Sequence, residues 1–248
     1  GGLRSGSKGV GAPVHRAPAV IKPIPAKPRP AAMIVLDALS PAPRCLRMFL
    51  LEKRLNLPMR QVDVFSGENR QAPYLAHNPA GQTPALLLDD GSCIAESVAI
   101  MEYLEERHPA PALIGATPEE RAATRQWQRR VELNITENIH NAYHYAEGQA
   151  RFAGRIPVAP EAAAGLKRVA QDRLAWLDGM LGAQPWLAGE RFTVADIWLY
   201  VWLDFAASVG QPFNHGLPRI GPWFERVAAR PSAAGSLHPA CKPGGVRG

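Results

Sequence analysis

Asn78-Pro79-Ala80-Gly81-Gln82-Thr83-Pro84 is dense in residues that break helices and strands, and the apolar run Ala85-Leu86-Leu87-Leu88 follows at once. Asp89-Asp90-Gly91 then supplies a hairpin turn, and Ser92–Ile94 returns as a strand. Glu96–Arg107 carries Val98, Ile100, Met101 and Leu104 at helical spacing, with His108-Pro109 as its end. Working back towards the N-terminus supplies the other half of the same sheet. Met33–Leu39 is a short apolar strand, Ser40-Pro41-Ala42-Pro43 is a turn, and Arg44–Leu55 sets Leu46, Phe49, Leu50 and Leu55 at helical spacing. Met59–Val64 alternates as a second strand and ends in the polar loop Ser66-Gly67-Glu68-Asn69. The order β-α-β-loop-β-β-α implies a parallel pair joined by a helix, followed by an antiparallel hairpin.

That arrangement is thioredoxin-like, and it is expected over residues 33–112. Pro111–Pro118 reads as a linker, after which strand patterns disappear. Glu119 to about Phe152 and Pro160–Leu181 are helical stretches, and Phe192-Thr193-Val194-Ala195-Asp196 opens a buried helix running to Val209. Thr193 with Asp196 three residues on has the pattern of a capping box. Pro222–Arg230 is a short last helix. The expectation is an all-α domain over residues 118–236, with residues 237–248 as a flexible tail.

The charge is unevenly spread. The chain of 248 residues has a formal net charge of +6. Residues 1–32 hold Arg4, Lys8, Arg16, Lys22, Lys27 and Arg29 and no acidic residue, so the remainder balances 22 positive against 22 negative charges. A neutral folded part argues against nucleic acid as a partner. Residues 1–32 read as a disordered basic extension rich in Pro, Gly and Ala. The longest apolar run between charges is Ile197–Leu203, well short of the ~20 residues a membrane helix requires. Cys45, Cys93 and Cys241 form no CxxC pair, and the N-terminus lacks an apolar signal region. A cytoplasmic protein without membrane or metal partners is expected, since no HExxH or comparable ligand spacing occurs.

Several motifs now stand in one order: Ser40-Pro41-Ala42-Pro43-Arg44 after the first strand, Asn78-Pro79 with Thr83-Pro84, Glu96-Ser97 opening a helix, and Thr193-x-x-Asp196 in the helical half. Leu217-Pro218, Trp223-Phe224 and Arg230-Pro231 close the set. Over residues 33–236 the chain resembles the soluble glutathione transferase family, in its serine-type form. The resemblance implies reduced glutathione as co-substrate, a hydrophobic electrophile as second substrate, and a homodimer. It also implies that Ser40 meets the glutathione sulfur and that Thr83-Pro84 is a cis bend whose open backbone at Thr83 pairs with the cysteinyl part of glutathione. Pro84 is then the structural cis-proline.

Glu96-Ser97 sits at a helix start, where free N–H groups and the dipole attract a carboxylate. The resemblance gives Ser97 the γ-glutamyl carboxylate and Glu96 the neighbouring ammonium. It places Asn69 and Gln82 along the glutathione backbone and its glycyl end. Arg44, in the first turn after Ser40, is positioned to assist the thiolate. Cys45 lies inside that helix, which disfavours a glutathione-dependent thiol oxidoreductase; the Ser-Ser-Cys run of the family's serine-type isomerases is also absent. A non-catalytic binding protein on the same fold is the remaining alternative. Trp127, His140, Tyr143, His144 and Tyr145 fall on the helix that walls the expected second-substrate cleft.

Overall fold

The computed structural model describes Gly2 and residues 33–248, so the basic extension expected over residues 1–32 lies outside the described residues, Gly2 excepted. Four strands form one mixed sheet in the order β2-β1-β3-β4. They are β1 (Ile34–Asp37), β2 (Met59–Gln61), β3 (Ala85–Leu87) and β4 (Cys93–Ala95). β1 runs parallel to β2 with Asp37 beside Gln61, and antiparallel to β3 with Leu36 beside Ala85. The thioredoxin-like half is completed by α1 (Pro41–Lys53), the short α2 (Ala72–Leu75) and α3 (Ser97–Arg107).

The second half is all helical: α4 (Pro118–Val131), α5 (Glu137–Tyr145), α6 (Gln149–Phe152), α7 (Ala163–Met180), α8 (Val194–Ser208), α9 (Ile220–Ala228) and α10 (Pro231–Gly235). A π-helical turn, Glu132–Thr136, joins α4 to α5. Such a turn inserts one residue per hydrogen bond and rotates the helix that follows. The helical stretch expected from Glu119 to about Phe152 is therefore three helices, with the bulge between α4 and α5 and a turn over residues 146–148 before α6.

α8 is the spine. Every residue from Val194 to Ala206 is buried. Thr193 and Asp196 form the capping box, and Asp196 accepts hydrogen bonds from Leu187 N at 2.9 Å, Thr193 N at 2.9 Å and Trp223 Nε1 at 2.8 Å. Burial pushes the Asp196 carboxyl up to about 6, against the pull of these donors.

Polar ties join the two halves. Arg44, 1% exposed, sends Nη1 to Asp204 Oδ2 at 2.6 Å and Nη2 to Ala233 O at 3.1 Å. Arg230 grips Glu52 through Nε and Nη2 at 2.8 and 2.7 Å. Arg47 Nε reaches Ser236 O at 2.8 Å while its Nη1 pairs with Asp37. Residues 237–248, expected as a flexible tail, turn back on the body instead. His238 pairs with Gln61, His238 N donates to Gly248 O at 3.0 Å, and Arg247 bridges to Asp204 at 3.0 Å. The tail is held because Arg247 brings a charge to a carboxylate already anchored by Arg44, a polar tie that Gly/Pro-rich composition does not reveal.

Candidate active site

Ser40 is the N-cap of α1, in extended conformation with φ −162° and ψ 154°. An N-cap hydroxyl ordinarily accepts from the N–H of the second or third helical residue. Here the third is Pro43, which has no N–H, and the Ser40 side chain makes no capping bond. Pro41 removes another donor, so Ala42 alone offers an N–H among the first three helical residues. Among the described residues the hydroxyl is thus left without a partner, on a partly exposed residue just beyond the C-terminal end of the interior strand β1. The tail packs on its backbone: a Cβ added to Gly248 would stand 2.6 Å from Ser40 N.

The Thr83–Pro84 peptide is cis. Thr83 precedes β3, and neither its N–H nor its C=O has a partner among the described residues. The carbonyl of Gln82 is held by the Tyr74 hydroxyl and by Asn78 Nδ2 at 2.8 Å, while the Gln82 side chain is exposed. Asn69 Nδ2 donates to Gly81 O at 2.6 Å, and its buried Oδ1 has no partner. Gly81 has φ +64°, and a Cβ there would meet Asn69 O at 2.9 Å, so only glycine fits this close approach. Asn69 therefore locks the loop that carries Gln82 and Thr83.

Glu96 is the N-cap of α3 with φ 71° and ψ 120°, a region that non-glycine residues rarely occupy. Strain of this kind concentrates at functional sites. Its side chain is exposed and has no ion-pair partner among the described residues. Ser97 is buried, and its hydroxyl donates to Ala42 O at 3.0 Å, tying the start of α3 to the first turn of α1. Glu137 of α5 has its carboxyl pushed up, by partial desolvation first and then by the like charges of Glu132 and Glu96, with Arg129 opposing. A cation near Glu96 would relieve that repulsion.

Arg44 does not face this turn. Its guanidinium is spent on Asp204 and Ala233, so it stabilises the fold rather than an anion beside Ser40. Cys45 is fully buried, and burial drives its thiol far up, which removes it as a nucleophile.

A further group of side chains comes from the helical half and meets the loop after β2. β2 ends beside β1, and the loop that follows it carries Val64, Phe65 and Gly67. Arg155 Nη1 donates to Val64 O at 3.2 Å, and the Arg151 guanidinium lies 4.7 Å from the Phe65 ring centroid. Arg151 Nη1 also reaches the Tyr143 hydroxyl at 3.3 Å. Behind them His144 packs on Phe152 and His140 on Trp202, with centroids 4.0 and 4.9 Å apart. Burial holds both imidazoles neutral, His140 down to about 3 and His144 down to about 4. Trp127 instead carries Arg130 over its ring at 4.9 Å. The contacts of Phe65, Arg151 and Arg155 are not visible in the sequence, because they join segments about 90 residues apart with no motif in either.

Residues 39–107 match the family profile described as glutathione S-transferase, N-terminal domain, and residues 150–231 match the C-terminal domain. Glutathione S-transferase 2 of Saccharomyces cerevisiae is 30% identical over 205 residues, 81% of this chain and 87% of that protein. The chain belongs to the glutathione S-transferase family. Maleylacetoacetate isomerase of Pseudomonas aeruginosa is 36% identical over 186 residues, covering 71% of this transferase-family chain and 80% of the relative. Among solved structures, a glutathione S-transferase domain-containing protein of Marinobacter aquaeolei superposes with a TM-score of 0.76 at 36% identity, covering 81% of this chain and 99% of that one. The fold is that of the transferases throughout, a thioredoxin-like half followed by a helical half.

No helix among the described residues is long and apolar enough to cross a membrane. Among the same residues no group of three or more His, Cys, Asp or Glu side chains is gathered as a metal site would need.

Proposed function

We propose that this protein is a glutathione transferase that binds reduced glutathione, holds its sulfur as thiolate at Ser40, and directs it at an electrophilic, largely apolar molecule. The observation that carries this reading is the Ser40 hydroxyl: it stands at the helix start, partly exposed, with no intramolecular cap to satisfy. The cysteinyl backbone of glutathione pairs with the open N–H and C=O of Thr83 beside Pro84. Its γ-glutamyl carboxylate lies at the start of α3 by Ser97, and its ammonium lies by Glu96. Asn69 and Gln82 take the backbone and glycyl end.

The energetics suffice. A thiol with pKa ~8.5 is mostly protonated at pH 7, and lowering it by ~2 units takes about 2.7 kcal/mol of preferential stabilisation of the thiolate. A hydrogen bond from a hydroxyl to a charged sulfur supplies roughly 1.5–3 kcal/mol. The start of α1 adds ~0.3–1 kcal/mol, towards the lower figure because Pro41 and Pro43 leave Ala42 as the first-turn donor. Ser40 therefore carries most of the shift. The thiolate attacks the electrophilic carbon, a C–S bond forms, and a leaving group departs with the electron pair or a proton adds to the adjacent carbon. Glutathione is the nucleophile throughout, and the site supplies position and charge stabilisation. Family membership supports a homodimer working in the cytoplasm.

The test is a pH titration of bound glutathione, following thiolate absorbance in the wild type and in Ser40→Ala. The wild type is expected to lower the thiol pKa by a unit or more and the variant to lose most of that shift. Bound glutathione with an unshifted thiol in the wild type would move the protein to the non-catalytic reading.

A further inference from the structure

The helical segment that meets the loop after β2 carries two positive charges with no carboxylate paired to them among the described residues. Arg151 and Arg155 are both exposed, and neither has a carboxylate within salt-bridge distance among the described residues. Residues 1–32 cannot supply one, because they contain no Asp or Glu. Nearby acids are engaged elsewhere. Glu147 pairs with Lys167 and accepts from Gln211, Glu68 pairs with Arg60, and Asp63 accepts from the N–H groups of Phe65 and Ser66. His140 and His144, held neutral, add no charge at pH 7.

The two guanidiniums are also held in place. Arg151 is fixed over the Phe65 ring and against the Tyr143 hydroxyl, and Arg155 is fixed on Val64 O. Each fork has five N–H donors, and these contacts use one from each. The remaining donors present a pre-oriented surface for a planar anion, the geometry at which arginine exceeds lysine. Their position relative to the sulfur follows from the sheet. Ser40 lies three residues beyond Asp37 and Phe65 four beyond Gln61, and Asp37 and Gln61 are register partners. Because β1 and β2 run parallel, Ser40 and Phe65 leave the same end of two neighbouring strands.

Resting on the transferase reading above, we propose that Arg151 and Arg155 select acceptor substrates that carry a carboxylate, so that the electrophile this enzyme prefers is an anion with an apolar reacting end. Phe65 and Phe152 receive the apolar body, and the arginines receive the charge.

A matched pair of acceptors isolates that charge: 4-chloro-3,5-dinitrobenzoate and its methyl ester, each corrected for its uncatalysed rate with glutathione. The wild type is expected to favour the acid in kcat/KM by tenfold or more at low ionic strength, with the preference falling as salt rises. Arg151→Gln with Arg155→Gln is expected to cost the acid at least tenfold more than the ester, and Arg151→Lys to recover part of the difference. An equal loss for both acceptors would make the arginines a mere latch between the halves and overturn the proposal, as would a wild type without preference for the acid. If the ester is conjugated and the acid is not preferred, only this proposal fails. If neither is conjugated, the transferase reading fails and takes it along.

Discussion

Replacing Glu96 with glycine should make the protein more stable and its glutathione site weaker, two effects of opposite sign at one position. The stability gain comes from the backbone. Glu96 sits at φ 71° and ψ 120°, and holding a non-glycine residue in such a region costs roughly 1–3 kcal/mol. Glycine adopts it without penalty but loses about 0.5–1 kcal/mol of chain entropy, leaving a net gain near 1 kcal/mol. The binding loss comes from the side chain. A charge-assisted hydrogen bond to the γ-glutamyl ammonium is worth about 1.5–3 kcal/mol; because Glu96 is exposed, the lower end applies, which is about tenfold in Kd. Glu96→Gln separates the two, since it keeps the strained backbone and removes the charge. Urea unfolding reads the first quantity and calorimetric titration with glutathione the second. The reasoning is refuted if Glu96→Gly destabilises the fold, or if both variants bind glutathione as tightly as the wild type.

Two further expectations concern buried titratable groups. Asp196→Ala strips acceptors from three buried N–H donors, those of Leu187, Thr193 and Trp223; at ~1–3 kcal/mol per orphaned group the loss should be about 3–5 kcal/mol, and a urea-unfolding loss under 1 kcal/mol would contradict the three-way role of this carboxylate. His140 has its pKa lowered from 6.5 to about 3, so between those values the unfolded chain takes a proton that the native one refuses, and stability must fall as pH falls below 6.5. Between pH 7.5 and 4.5 that amounts to ~2–3 kcal/mol from this residue, and His140→Phe should lose about that much of the wild-type pH dependence in parallel urea titrations; an unaltered slope would refute the assignment.

The order of elements in the first half was legible because β1, β3 and β4 are short apolar runs and β2, exposed at all three residues, still shows alternation, and the buried helix α8 because its cap and apolar content coincide. Other features were hidden for physical reasons. α1 starts at Pro41, three residues before the periodicity at Arg44 begins, since prolines that mark a turn are equally at home in a first helical turn. Arg44, Arg47 and Lys53 are buried on that helix, and hydrophobic patterning counts them as solvent-facing. Lys53 is buried because Glu105 meets it at 2.7 Å and Pro111 O at 2.7 Å, partners that no local pattern announces. At the candidate site, motif order points to Ser40, Thr83, Glu96 and Ser97, all at element starts. The engagement of Asn69 with Gly81, of Ser97 with Ala42 and of Arg44 with Asp204 depends on distances across the fold.

The Arg44–Asp204 and Glu52–Arg230 pairs carry a consequence for anyone who would shuffle transferases. The stretch 111–118 looks like the natural crossover point for grafting one relative's first half onto another's second. A crossover there separates Arg44 from Asp204 and Glu52 from Arg230, and a mismatched graft buries a lone guanidinium under α8, a cost of several kcal/mol. Viable hybrids will be those that inherit both ends of each pair together, so α1, α8 and α10 form one unit of exchange although 140 or more residues of chain lie between them.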